Sequence, residues 1–175
     1  TDVSQLEVGA RYLVVAKYTP KGGTTSYYAL GAKNGTNRDC VLVQESEGLI
    51  SISDEPVYPI TLATVEGDSD YPYALQDGED GYFLAGEKKL NLASDTSDKK
   101  SHVSITVDEK NYSIIKFPLL NGEKNFQLMF NYNSGKPRFT CYAGTTQDVY
   151  LYKEVAGVVT PDPDPDPQPE EKTVY

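Results

Sequence analysis

Few side chains in this chain of 175 residues could do acid–base or nucleophilic work. It holds one histidine, His102, and two cysteines, Cys40 and Cys141, beside 26 Asp and Glu. A Ser-His-Asp or Cys-His arrangement would have to pass through His102. That residue opens a predicted strand, and no strained nucleophile-elbow motif accompanies any serine. The expectation is an exposed histidine at a strand start, and no enzyme. The cysteine spacing matches no metal motif, and one disulfide or two buried thiols both fit it. Acids gather instead in turns, where Asp68, Asp70, Asp77 and Asp80 offer hard oxygen donors suited to calcium. Their spacing lacks the distal glutamate of an EF-hand, and Asp in a turn also serves turn geometry itself. No cofactor is implied.

Binding chemistry is better supplied. There are 14 Tyr and 5 Phe but no Trp. A tyrosine ring can stack on the apolar face of a pyranose while Asp, Asn or Arg nearby bonds the sugar hydroxyls. The candidates are Tyr71 and Tyr73 close to Asp77, and Tyr132 with Asn131, Asn133 and Arg138. The competing reading is structural, because alternating tyrosines such as Tyr150 and Tyr152 commonly build a cross-strand ladder. Arg38 and Arg138 each fall in a Gly-bearing polar stretch shortly before a cysteine. Both read as donors that fix a loop through carbonyls or carboxylates.

The elements that must carry these residues are strands. Period-two alternation bounded by Gly, Pro, Asn and Asp predicts strands over Tyr12–Tyr18, Ser26–Ala32, Cys40–Gln44 and Val57–Glu66, with Lys33–Asp39 as a polar loop and Leu49–Ser53 as a short extra strand. The pattern then begins again with Tyr71–Gln76, Tyr82–Ala85, Leu90–Ala93 and His102–Val107. A third round follows at Tyr112–Pro118, Phe126–Phe130, Phe139–Tyr142 and Val149–Lys153. Tyr71 to Tyr112 is 41 residues and Tyr82 to Phe126 is 44; Tyr28 to Tyr82 is 54, the excess matching the extra strand. Helical periodicity is nearly absent. A four-strand unit recurring at 40 to 50 residues is the signature of an all-β, β-trefoil-like domain of three units about a pseudo-threefold axis, with a β-sandwich as the alternative.

The net charge of −10 disfavours nucleic-acid backbones and anionic membrane surfaces, and no apolar run approaches the roughly 20 residues of a membrane-spanning helix. The expected organisation is a β module over 1–155, a Pro-Asp linker over 156–169, and a tail over 170–175. Prolines alternate with acids from Pro161 to Pro169, which favours a stiff polyproline II spacer to further domains of a parent chain. Glu170 to Tyr175 alternates like a strand, and is expected to open another module or to add to a sheet edge.

The opening (Thr1-Asp2, Ser4, Leu6, Gly9, Tyr12 to Ala16) and the ending (Asn131-Tyr132-Asn133, Arg138-Phe139, Cys141-Tyr142, Tyr150 to Lys153) carry a resemblance. They resemble accessory modules of secreted and surface proteins of Bacteroides-like gut bacteria. The resemblance implies an extracellular or cell-surface appendage of a larger protein, without catalysis of its own. The expected function is carbohydrate or surface-ligand binding, with glycan as the partner. The alternative is a structural spacer or protein-interaction module with no small ligand.

Overall fold

A computed structural model gives the structure, which describes residues 6–52, 56–78, 81–120, 124–133, 135–144, 147–155 and 175. Among the described residues are thirteen antiparallel strands: β1 (Arg11–Tyr18), β2 (Ser26–Asn34), β3 (Asn37–Ser46), β4 (Leu49–Ser51), β5 (Ile60–Thr64), β6 (Tyr73–Asp77), β7 (Tyr82–Gly86), β8 (Lys89–Ala93), β9 (His102–Val107), β10 (Ser113–Leu120), β11 (Lys124–Asn133), β12 (Lys136–Tyr142) and β13 (Tyr150–Lys153). Among the described residues no helix is long and apolar enough to cross a membrane.

Four kinds of strand pairing each occur three times. β1, β6 and β10 each pair with the strand that follows, β2, β7 and β11. Those strands form hairpins with β3, β8 and β12. β1 and β6 also pair with β5 and β9, and Ser113 of β10 bridges Val149 just ahead of β13. Finally β5 pairs with β6, β9 with β10, and β13 with β1. The last two sets link β1, β5, β6, β9, β10 and β13 into a closed circuit of hydrogen bonds. The three hairpins meet at one end of it. Arg38 of β3 lies opposite Phe139 of β12, and the Leu90 amide at β8 donates to the Thr36 carbonyl at 2.7 Å.

Alternation places the core. Tyr12, Val14 and Ala16 of β1 point inward, as do Leu75, Phe83, Ile105, Ile115, Phe117, Leu128, Phe130, Phe139 and Leu151, in one apolar cluster. Strand period two sends successive side chains to opposite faces, yet β1 is buried from Tyr12 to Ala16 on both. Leu13 and Val15 supply its outer face, which packs with Ala29, Val41, Val43, Ile50 and Tyr175 in a second cluster. β4, the extra strand of the first unit, covers that face.

The sequence-based boundaries needed correction at two hairpins. The expected polar loop Lys33–Asp39 is mostly strand, because only Gly35 and Thr36 separate β2 from β3. Arg38 therefore sits on β3, and Arg138 sits on β12 rather than in a loop. Two-residue connections let both ladders run to the tip, with Gly35 and Gly135 in the left-handed region at φ 60° and 73°. Polar composition at a hairpin tip reports exposure of the side chains, not loss of the ladder. Pro118 within β10 coincides with a register shift between Lys116 and Leu119, as a residue lacking an N–H demands. The linker, and the tail apart from Tyr175, lie outside the described residues.

Candidate functional site

The buried charged groups are structural partners. Arg38 is 1% exposed and Asp77 4%, and Arg38 Nη2 donates to Asp77 Oδ2. The guanidinium also lies over the Phe83 ring, 5.1 Å from its centroid. One side chain of the first unit is thereby held by two groups of the second. Asp77, a sequence candidate for both ligand and calcium binding, has its carboxylate committed to this pair. The expectation of Arg38 as a donor to a carboxylate describes what is found, though on a strand.

His102 is buried rather than exposed. Its Nδ1 lies 2.8 Å from Asp68 Oδ2 and its Nε2 2.8 Å from the Thr96 carbonyl. A carbonyl can only accept, so Nε2 donates to Thr96, while Nδ1 shares a second hydrogen bond with the Asp68 carboxyl. That hydrogen bond holds the Asp68 carboxyl below the ordinary carboxylate range, helped by the Tyr71 amide. The signal missed in the sequence was a partner 34 residues away. Asp70 is exposed and Asp80 lies outside the described residues. Among the described residues no three His, Cys, Asp or Glu side chains come close enough together to hold a metal. Both cysteines are free thiols, and burial pushes the Cys40 thiol up to about 12 and the Cys141 thiol higher still.

The aromatic candidates separate into different surroundings. Tyr73 packs against the main core. Tyr71 accepts a hydrogen bond from Asn125 Nδ2 at 2.7 Å. Asn125 in turn lines a depression of about 290 Å³ with Gln127, Met129, Tyr142, Ala143, Gly144 and Asp148. Asp148 has its carboxyl raised by burial and then by the charge of Asp108.

Tyr132 belongs to a second depression of about 350 Å³, formed with Tyr18, Phe130, Asn131 and Gln147. Its origin is local. The face of β11 that carries Phe126, Leu128 and Phe130 into the core runs out past it, leaving Tyr132 37% exposed. Tyr18 ends β1 in the same way, and the two rings stack at 4.4 Å and 12°. Phe130 forms the floor, 5.9 Å from Tyr18 and 5.3 Å from Tyr28. Gln147 is fixed from below by two backbone bonds to Phe130, of 2.9 and 3.1 Å, while its side-chain amide donates to the Lys17 carbonyl. Asn131 donates to the Tyr142 hydroxyl at 2.7 Å, which joins the two depressions through one hydrogen bond. Leu42, opposite Tyr28 in register, is 60% exposed.

Asn131 and Tyr132 both line the second depression, but as successive strand residues their side chains face opposite ways, and the Asn131 amide turns to Tyr142. Arg138 pairs with Asn131 across the ladder and so shares its face and not that of Tyr132; it is partly buried, with its Nε lacking a hydrogen-bond partner among the described residues. Asn133 is exposed at the strand end. Tyr18, Phe130, Tyr142 and Gln147 were missed as site residues. The alternation Tyr12, Val14, Ala16, Tyr18 shows a face, but nothing local says that its outer end meets β11.

Chemically, the arrangement is an aromatic surface of Tyr18, Phe130 and Tyr132 beside Asn131 and Gln147. Comparison with protein-family models, curated proteins and solved structures finds no match.

Proposed function

We propose that this domain is a β-trefoil serving as a non-catalytic, extracellular or cell-surface carbohydrate-binding module, with a sugar stacking at Tyr132. The trefoil reading is supported by the pairings that recur three times and by the hairpins that meet at Arg38, Phe139 and Thr36. The single observation carrying the function is the Tyr18–Tyr132 depression with Asn131 and Gln147. Its volume is at the lower end of ligand sites, about 300–1,000 Å³. Tyr132, 37% exposed, keeps ring surface outside its stack on Tyr18 that an apolar sugar face can meet. Because the rings are held by their own packing, little side-chain entropy is lost on binding.

A glycan array probed with the wild type and with Tyr132→Ala tests this reading. Binding to a defined glycan that falls at least tenfold in the variant is expected, with the melting temperature lowered by only a few degrees for the lost ring stack. Failure of the wild type to bind any glycan, with or without calcium, overturns it. A second reading, a protein-interaction module without a small ligand, is favoured by one observation: the residue-175 backbone pairs with β4.

A further inference from the structure

β4 has a partner on each edge. On one side it pairs with β3 through Gln44 with Ser51, Glu45 with Ile50 and Ser46 with Leu49. On the other, the Ile50 amide donates to the Tyr175 carbonyl at 2.9 Å, and the Tyr175 amide donates to the Ile50 carbonyl at 3.3 Å. Two residues that exchange both bonds form an antiparallel hydrogen-bonded pair, so their side chains share a face. The Tyr175 side chain duly lies in the second cluster with Ile50, Leu13, Val15, Ala29, Val41 and Val43, and the residue is 5% exposed.

Every other member of that cluster lies between Leu13 and Ile50, on four strands of the first unit. The remaining one comes from across the proline-rich stretch, 20 positions beyond Val155. A chain of 20 residues reaches at most about 66–72 Å, whereas a domain of this size is about 40 Å across. The length of the connection by itself therefore does not dictate that Tyr175 meets this pocket. The recognition elements are those of strand addition, in which main-chain bonds supply affinity and a side-chain pocket supplies selectivity.

We infer that the outer edge of β4, with the apolar pocket beneath it, is an acceptor site for an extended peptide carrying a buried aromatic side chain. Tyr175 fills it within the chain, and a peptide of the sequence Glu170 to Tyr175 fills it when supplied separately. The site is independent of the Tyr132 depression, so either assignment can fail without the other. Burial, and then the charge of Glu154, raises the Tyr175 phenol above its ordinary pKa, with Arg11 opposing; Glu154 and Arg11 form an ion pair at 3.0 Å.

The test uses the full-length chain. A labelled peptide, Glu-Glu-Lys-Thr-Val-Tyr, is titrated by fluorescence anisotropy onto Tyr175→Ala and onto the wild type. Saturable binding to the variant is expected, at least tenfold weaker on the wild type because its site is filled. The same peptide ending in Ala should not bind. Amide hydrogen exchange supplies a reading that does not depend on the variant's folding: Ile50 should be protected in the wild type. In Tyr175→Ala its exchange should be at least tenfold faster, and the peptide should slow it again. No binding to a folded variant, equal binding to both proteins, or an unprotected Ile50 amide in the wild type overturns the inference.

Discussion

Replacing Asp77 by Ala should be among the most damaging single changes on this protein's polar residues. It leaves the Arg38 guanidinium 1% exposed, above the Phe83 ring, without its counter-charge. Its Nε already lacks a hydrogen-bond partner among the described residues. Removing one member of a buried pair typically costs about 3–5 kcal/mol, most of it the penalty of the charge left behind. For a domain of 150–250 residues each kcal/mol moves the melting temperature about 2–4 °C, so a fall of roughly 6–20 °C is expected. The control is Arg38→Met with Asp77→Ala. This double variant keeps an apolar stem on Phe83 and strands no charge, and should be more stable than Asp77→Ala alone. Urea unfolding of the wild type, both single variants and the double variant gives the cycle. A single-variant loss below about 1 kcal/mol, or a double loss equal to the sum of the singles, would refute the reasoning.

Two further predictions rest on separate features. Gly81 has φ +125° and a Cβ there would run into the Ala93 carbonyl oxygen, so Gly81→Ala should cost about 1–3 kcal/mol in urea unfolding; a neutral result would mean that the Asp77–Gly81 turn relaxes. Asp68 titrates below the ordinary carboxylate range when folded. Its contribution to stability is therefore complete above the unfolded pKa, about 3.9, and is lost as pH falls through the lower folded value. Asp68→Asn should unfold with a shallower dependence on pH below about 4 than the wild type, and an unchanged slope would count against the His102 contact.

The resolved strands lie close to the predicted ones, and the reason is local. Val, Ile, Tyr and Phe alternate with polar residues between Gly- and Pro-bearing turns, so His102–Val107 could be read to the residue and the Leu49 insertion could be seen as an extra strand. The two hairpin tips were misread because Asn, Thr, Lys and Arg look like loop whether or not the backbone stays paired. Charge pairing was invisible for another reason. Arg38 and Asp77 are 39 residues apart and His102 and Asp68 are 34 apart; each pair exists only because hydrogen-bonded strands from different parts of the chain converge.

The candidate site divides along the same line. By itself the sequence determined that Tyr132 would be an aromatic flanked by asparagines at a strand end. It also determined that Glu170 to Tyr175 alternates as a strand does. Alternation and turn chemistry act over a few residues, so a single segment displays them. Only the tertiary structure decided that Tyr18 stacks on Tyr132, that Tyr71 bonds Asn125 instead of joining them, and that Asp77 is taken up by Arg38. It alone decided that Tyr175 fills a second core beside Ile50. Each of those outcomes depends on which strand ends are brought side by side. That is set by burying one apolar face of many strands at once, a property of the whole chain and of no segment within it.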